Sequence, residues 1–230
     1  ECTHEYWRSN GKFTPNITLR LASGGYIGGG LYHSQNLEGA LTTLPGARIV
    51  CPSFADDAAG LLRTSMRSKG FTLYLEPKAL YNSVEAAAVV PEEFEVPFGK
   101  ARIRREGTDL TIITYGNTTH FCLDVAERLA REGVGSVEVI DLRSLIPLDK
   151  EAIFASVRKT GKVMVVHEDK VFSGFGAEIA AQIAGEMFRY LDAPVQRVGS
   201  TFTPVGFNPI LERAILPNDE KIYKAAKELL

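Results

Sequence analysis

A histidine follows a glycine-rich segment near the start of this 230-residue chain. Five of the seven residues 24–30, which we call the glycine loop, are glycine, and the motif LYHSQ then centres on His33. Glycine lets a backbone approach a ligand closely, and an imidazole gives or takes a proton near neutral pH. This order indicates proton-transfer chemistry at His33. The residues alone leave open a second interpretation, in which His33 only packs or caps locally.

The glycine loop does not have the spacing of the common cofactor and nucleophile motifs. Neither GxGxxG nor GxxxxGK[ST] is present there, and the chain has no GxSxG elbow. The three cysteines lack CxxC spacing, which argues against a disulfide framework or a structural zinc site. Nicotinamide-binding, P-loop and serine-hydrolase functions are therefore disfavoured. We assign structural or solvated roles to the remaining histidines and to one acidic cluster: His4, His120, His167, Glu92, Glu93 and Glu95.

Charge and hydropathy argue against two kinds of partner. The 26 basic and 28 acidic residues are spread along the chain and leave a formal charge of -2, so no segment has the basic excess that nucleic acid requires. No apolar run approaches the roughly 20 residues that cross a bilayer, and the first residues lack the order of a signal peptide. We expect no nucleic-acid partner and no membrane span.

The elements around the glycine loop alternate between strand and helix. Short β-rich runs are predicted at 16–22, 47–51 and 71–76, with helical patterns near 34–44 and 54–67. Ser53 with Asp56 resembles a capping box for the second of these helices. Three strands are few beside the mean of about five or six in a sheet. We therefore expect residues ahead of Glu1 to complete this first unit.

A second α/β unit follows an irregular stretch. Apolar strand patterns recur at 109–116, 136–142, 162–168 and 194–200, and helical patterns separate them, one opened by Asp149. Such alternation predicts an α/β fold with a mostly parallel sheet between helices. The predicted organisation is a first unit at 1–80, a linker at 81–108 and a second unit at 109–230.

Several long motifs, in a fixed order, resemble one enzyme family. They begin at the glycine loop and run through nearly the whole chain: GGYIGGGLYHSQNLEGALTTLPGARIVCPSFADDAAGLL, LYLEPKALY, VIDLRSLIPLD, SVRKTGKVMVVHED, SGFGAEIAAQI and LDAPVQRV. Together they are similar to the beta subunit of thiamine-diphosphate-dependent 2-oxo acid dehydrogenases. The resemblance implies the C-terminal half of a pyrimidine-binding domain followed by a transketolase C-terminal-type domain. LYHSQ and EPKALY favour the branched-chain (2-oxoisovalerate) type over the pyruvate type.

The resemblance also implies roles for residues of the LYHSQ motif. His33 would be catalytic, either holding the substrate carboxylate or donating a proton as the lipoyl dithiolane opens. Tyr32 would shape the pocket for a branched side chain, although packing behind His33 is an equally good role. Ser34 would contact substrate and, with Gln35, orient the loop and cap the following helix.

Metal and cofactor sites are implied only in part. A structural potassium site would draw on Ile17, Thr18, Ser65 and Ser68, although this chain has serine and glycine where familiar members have acidic or amide side chains. The residues that contact thiamine diphosphate would lie upstream of Glu1, and the diphosphate and its magnesium would belong to an alpha partner. The chain alone is expected to be inactive.

The implied enzyme is a complex that decarboxylates a 2-oxo acid and reductively acylates lipoamide. Its other parts would be an alpha subunit or fused alpha domain, a second beta subunit and a lipoyl acyltransferase core. It would be located in the bacterial cytoplasm or, in a eukaryote, the mitochondrial matrix. The open alternatives are a pyruvate dehydrogenase beta subunit, a non-catalytic assembly module, and a transketolase or deoxyxylulose-phosphate synthase relative. The last are ranked lower because LYHSQ has no arginine-rich phosphate pocket beside it.

Overall fold

Two mostly parallel β-sheets lie side by side in the computed structural model, which describes residues 1–230. The first sheet has the order β1-β3-β2-β7, with β1 (Asn16–Ser23), β2 (Ala47–Val50), β3 (Gly70–Pro77) and β7 (Ser144–Ile146). The second has the order β4-β6-β5-β8-β9, with β4 (Arg102–Arg105), β5 (Leu110–Thr114), β6 (Val137–Asp141), β8 (Val163–Lys170) and β9 (Gln196–Ser200). Only β7 and β4 pair antiparallel, each at an edge.

Nine α-helices connect and cover these strands. They are α1 (Glu5–Arg8), α2 (Gly30–His33), α3 (Glu38–Leu41), α4 (Ala55–Arg67), α5 (Thr118–Arg131), α6 (Lys150–Thr160), α7 (Phe175–Glu186), α8 (Pro209–Ile215) and α9 (Asp219–Leu229). The predicted α/β architecture with mostly parallel sheets is confirmed. None of these helices is both long enough and apolar enough to span a membrane.

Two strands were missed in the sequence because neither has a strand-like pattern. β4 reads RIRR and lies inside the range predicted as a linker, where it pairs with β6. β7 has only three residues, SLI, and pairs with β2. The division into 1–80, 81–108 and 109–230 stays a prediction, and β7 places a strand of the third range in the sheet of the first.

The predicted helix near 34–44 is corrected by the structure. Two one-turn helices, α2 and α3, stand in its place, separated by Ser34–Leu37. Gly30 starts α2 with a φ of +64°, a left-handed value that glycine adopts without steric cost. Polar Ser34 and Asn36 are buried in the break. The break leaves His33 at the end of its own short helix.

The predicted capping box at α4 is wrong. The residue before the helix is Phe54, and no side chain accepts a hydrogen bond from the first turn of α4 as a cap. Ser53 Oγ instead lies 2.9 Å from Thr119 Oγ1. The Asp56 carboxylate accepts the neighbouring Asp57 N–H. By contrast, the predicted cap of α6 is confirmed, since the Asp149 carboxylate accepts the Ala152 N–H at 3.2 Å.

The main hydrophobic core extends under both sheets. Ile49 and Leu75 from the first sheet belong to the same cluster of buried side chains as Ile113, Ile140 and Val165 from the second. A separate cluster packs α5 and α9 on the outer face of the second sheet. Because burying apolar surface is the main favourable term in folding, this continuous core fixes the two sheets relative to each other. The carboxyl ends of their strands consequently meet.

Candidate active site

The candidate site lies where the carboxyl ends of parallel strands from both sheets meet. Ser23 at the end of β1, Cys51 after β2 and Pro77 at the end of β3 come together with Gly116 after β5 and Glu168 near the end of β8 around a small cavity. In open α/β proteins, this edge of the sheet is where ligands bind. The glycine loop leaves β1 at this edge and leads directly into α2.

The structure places the three predicted residues of LYHSQ on one turn but in different surroundings. His33 ends α2 with an exposed side chain. Tyr32 is 88% exposed, so it does not pack behind His33 in this chain. Ser34 is 1% exposed, and its hydroxyl has no hydrogen-bond partner. Ser34 does not cap the next helix, because α3 begins after Leu37 without a side-chain cap.

Carboxylates of the second half of the chain hold the glycine loop. Glu168 Oε1 accepts the backbone N–H of Gly25, and Glu212 Oε1 accepts that of Gly28 at 3.3 Å. Both carboxylate side chains belong to buried residues. A buried carboxylate that accepts a backbone N–H satisfies a donor that the loop would otherwise leave unpaired. The glycine loop is therefore held in place by residues more than 140 positions away in the chain.

The segment after His33 is held by the two residues that follow Glu168. Lys170 Nζ donates to Gln35 Oε1 at 2.8 Å and to the Asn36 carbonyl at 3.2 Å. Asp169 Oδ2 accepts the Gly39 N–H at 2.9 Å. Both ends of the segment that carries His33 are thus bonded to the end of β8.

Burial makes two carboxyl groups beside this segment unusually weak acids. Burial raises the pKa of Glu168 to about 8, against the effect of the Gly25 N–H, and nearby Glu38 adds to the rise. Burial likewise raises the pKa of Glu38 to about 7, with Asp169 as the next cause. Both groups therefore change protonation near neutral pH. The Tyr115 hydroxyl, which lines the same cavity, has no hydrogen-bond partner.

None of the other three histidines lies on the segment that carries His33. His167 is fully buried, neither ring nitrogen has a partner, and burial lowers its pKa to about 4. A Cβ added at Gly176 would lie 2.3 Å from its ring, so the glycines of SGFG make room for that imidazole. His120 Nε2 lies 2.8 Å from the Ser53 carbonyl, and His4 is exposed. The structural roles assigned to these three histidines stay predictions.

The residues predicted to hold potassium lie near one another, but the site stays a prediction. β1 pairs with β3 so that Asn16 faces Gly70, which brings Ile17 and Thr18 beside the segment that follows α4. Ser65 is buried and its hydroxyl donates to the Leu61 carbonyl at 2.7 Å. The chain contains no group of three or more His, Cys, Asp and Glu side chains that could hold a metal ion.

The sequence analysis did not identify the four residues that hold the segment around His33: Glu168, Asp169, Lys170 and Glu212. A signal was present, since HEDK (167–170) places three charged side chains at the end of an apolar strand. Charges there mark the ligand-binding edge of a parallel sheet. No local pattern links Glu168 to Gly25 or Glu212 to Gly28, because those contacts arise only when the two sheets pack together.

Curated relatives identify the family. The chain is 40% identical over 224 residues to the 2-oxoisovalerate dehydrogenase subunit beta of Bacillus subtilis (strain 168), covering 97% of this chain and 68% of the relative. It is 39% identical to the pyruvate dehydrogenase E1 component subunit beta of the same bacterium, with the same coverage. The chain belongs to the family of 2-oxo acid dehydrogenase E1 beta subunits.

Three further comparisons agree with this result, the last of them for the fold alone. The Transketolase, C-terminal domain family matches residues 99–222, which confirms that predicted domain type. The mitochondrial pyruvate dehydrogenase E1 component subunit beta-1 of Arabidopsis thaliana is 40% identical, covering 96% of this chain and 61% of the relative. A split gene transketolase, described as an inactive beta4 tetramer, has the same fold with a TM-score of 0.75 at 22% identity, covering 94% of this chain and 67% of that one. The chain thus spans about two thirds of these proteins' length.

Proposed function

We propose that this chain is the larger part of an E1 beta subunit that acts with an alpha subunit in decarboxylating a 2-oxo acid and reductively acylating lipoamide. The single observation that carries the proposal is the exposed His33 at the end of α2, on a segment anchored at both ends by β8. Similarity to 2-oxoisovalerate and pyruvate dehydrogenase beta subunits supports the reaction class.

His33 is the proposed proton donor of this site. An imidazole nitrogen donates either a hydrogen bond to the substrate carboxylate or a proton to the sulfur that leaves as the lipoyl dithiolane opens. The ring is free for this task because it makes no hydrogen bond within the chain and is exposed. Ser34, with its unpartnered hydroxyl, and Tyr32, which projects into solvent, are the proposed substrate contacts.

The residues of this chain do not fit the charged half of thiamine diphosphate. The side chains that hold the glycine loop, Glu168 and Glu212, offer hydrogen-bond acceptors, whereas a diphosphate requires cations or N–H donors. Lys170, the cation that contacts the segment after His33, is already bonded to Gln35 and Asn36. The diphosphate and its magnesium are proposed to be held by the alpha subunit and by parts of the full-length beta subunit outside these 230 residues.

Exposed apolar side chains near His33 support a protein partner. Leu31 and Tyr32, which precede His33 on α2, are 50% and 88% exposed, and Phe207, which lies against Gly30, is 75% exposed. Clustered exposed apolar groups are typical of interaction surfaces. The proposed partners are an alpha subunit or fused alpha domain, a second beta subunit and a lipoyl acyltransferase core. The proposed location is the bacterial cytoplasm or the mitochondrial matrix.

The proposed substrate is a branched-chain 2-oxo acid. LYHSQ and EPKALY support this choice, and the first relative described above is a 2-oxoisovalerate dehydrogenase subunit. The test uses the full-length subunit co-purified with its alpha partner and compares kcat/KM for 3-methyl-2-oxobutanoate and pyruvate. We expect a preference of about tenfold or more for the branched acid, because each methylene in a fitted pocket contributes about 10-fold or more. A preference for pyruvate would assign the pyruvate type instead.

Replacement of His33 tests the proposed site in the same complex. His33→Ala is expected to lower the rate of lipoamide acylation by about 10²-fold or more, the usual contribution of a positioned proton donor. His4→Ala, which removes another exposed histidine, is the matched control and should retain the wild-type rate. Equal rates in both variants would remove His33 from the chemistry. A wild-type complex without any 2-oxo acid activity would favour the non-catalytic assembly module.

A further inference from the structure

The three charged residues at the end of β8 reach both sides of the segment that carries His33. Glu168 bonds to Gly25 before it, while Lys170 and Asp169 bond to Asn36 and Gly39 after it. The register of β8 against β9 is irregular between Val166 and Lys170, and such an irregularity redirects side chains so that three successive residues can contact one segment. Residues 25–39, which lie between the bond at Gly25 and the bond at Gly39, belong to no strand.

The backbone is tightly packed next to both of these bonds. A Cβ added at Gly24 would lie 2.7 Å from Glu168 Oε1, and one added at Gly39 would lie 2.3 Å from the Ser173 carbonyl. Gly24 also has a φ of +87°, where side chains other than glycine are strained. The backbone on both sides of His33 is therefore pressed directly against β8 and the turn that follows it.

We propose that Glu168, Asp169 and Lys170 form a clamp that positions His33 for proton transfer, so that the transketolase C-terminal-type domain acts in catalysis by fixing the loop of the other domain. None of the three touches the reacting atoms, and each acts through the backbone or side chain of residues 25–39. This inference rests on the proposed function of His33.

Glu212 and Tyr26 reinforce the clamp from α8 and its following turn. Glu212 accepts the Gly28 N–H, and the Tyr26 hydroxyl donates to the Pro217 carbonyl at 2.6 Å. With these bonds, the glycine loop is fixed at three points between β1 and α2. A loop with five glycines has large conformational freedom to lose, so such bonds decide where His33 lies.

The first test combines hydrogen exchange with kinetics on the assembled alpha–beta enzyme. Glu168→Ala is expected to speed amide exchange across 24–39 by about tenfold or more, because local opening becomes easier. The same variant should lower kcat for lipoamide acylation about tenfold or more while KM changes less than about threefold, since misplacement of a catalytic group costs rate rather than binding. Glu168→Gln keeps Oε1 as an acceptor for Gly25 and should restore both quantities to near the wild-type values.

Glu138→Ala is the matched control for loss of a buried carboxylate. Glu138 is fully buried in the same sheet and bonds to Ser156 and Lys159 rather than to the glycine loop. Its replacement should weaken the domain without changing exchange at 24–39. If Glu168→Ala and Glu138→Ala change exchange and kcat equally, the clamp is only general stability and the inference fails.

Lys170→Met supplies a second variant that does not depend on the folding of Glu168→Ala. It removes the bonds to Gln35 and Asn36 but keeps most of the half-buried side chain, and Lys150→Met removes an exposed lysine as its control. Faster exchange at 31–39 in Lys170→Met alone supports the clamp. Unchanged exchange and kcat in both clamp variants, with His33→Ala still inactive, would overturn the clamp and leave the proposed function standing. Faster exchange in the two clamp variants, together with full activity of His33→Ala, would support the contacts of the clamp but overturn the proposed role of His33.

Discussion

Glu168 holds its proton in the folded chain at pH values where the same side chain has lost it in the unfolded chain. Burial raises its pKa from 4.5 to about 8, and Glu38 behaves in the same way with a pKa of about 7. Between about pH 4.5 and 8, the folded state thus binds more protons than the unfolded state. The contribution of Glu168 to the free energy of unfolding is therefore fully present below about pH 4.5 and is lost as pH rises through about 8.

Replacement of Glu168 by glutamine should flatten this pH dependence. Glu168→Gln keeps the size and the acceptor oxygen but cannot ionise, so the thermal midpoint of the variant should fall less than that of the wild type between about pH 5 and 9. The measurement is calorimetric unfolding of the 230-residue chain over that range. The control is Glu138→Gln, the same substitution at another buried glutamate of the second sheet, which measures how much stability the amide replacement alone removes at a single pH. Parallel curves for wild type and Glu168→Gln would mean that Glu168 loses its proton at the same pH in the folded and unfolded chains, which contradicts the raised pKa.

Among single residues, the proposed proton donor is easier to identify from the sequence than the residues proposed to position it. His33 was identifiable because the glycine loop and LYHSQ are contiguous in the chain. Glu168 was not, because its contact with Gly25 spans 143 positions and depends on how two sheets pack. The roles of Tyr32 and Ser34 stay predictions, although their surroundings were not predictable either, since neighbouring residues on a short helix end can face solvent or core.

A single aspartate connects α6 to the chain before β4. The carboxylate of Asp149 accepts the Ala152 N–H at 3.2 Å and, through its other oxygen, the Ala101 N–H at 2.9 Å. The first bond caps the helix, and the second attaches the residue before β4. One side chain therefore satisfies two backbone donors from different elements.

Removal of the Asp149 carboxylate should lower the free energy of unfolding more than removal of a side chain that only caps a helix. Asp149→Ala is expected to lower the free energy of unfolding by about 2 kcal/mol, the upper end for a helix cap, because a second donor is also left unpaired. Urea unfolding monitored by circular dichroism measures the change. Glu151→Ala is the control, since its side chain is 91% exposed on the same helix turn and contacts only Lys100. A change in Asp149→Ala no larger than in Glu151→Ala would show that neither bond contributes.

The elements were predictable wherever a local pattern determines them. β1, β3, β5 and β8 are apolar runs, and the helices between them have apolar residues at helical spacing. β4 and β7 were not, because RIRR and SLI become strands only through pairing with β6 and β2. The prediction of one helix near 34–44 was wrong for a related reason. Ser34 and Asn36 are buried at the break between α2 and α3, and the periodicity of apolar residues does not reveal such a break.

For the whole molecule, one buried carboxylate links elements of both sheets. Asp57 on α4 is fully buried, and its oxygens pair with Arg104 on β4 and, at 2.8 Å, with Arg143 after β6. Arg104 also bonds to Asp141 at 2.7 Å. The network holds α4, which packs beside the first sheet, against the antiparallel edge of the second. Together with the shared core and with β7, it makes separate unfolding of the two sheets costly.

Asp57→Ala should therefore destabilise the molecule as one unit. Removing the carboxylate leaves the buried Arg143 guanidinium without an ion-pair partner, while Arg104 keeps Asp141, and the expected loss in the free energy of unfolding is about 3 kcal/mol. Asp56→Ala is the matched control because Asp56 pairs with the half-exposed Arg102 and should cost at most about 1 kcal/mol. In urea, wild type and both variants should unfold in a single transition by circular dichroism and by hydrogen exchange of β3 and β5. Two transitions in the wild type, or equal losses in Asp56→Ala and Asp57→Ala, would show that this network does not join the sheets and that the loop carrying His33 can separate from β8 without global unfolding.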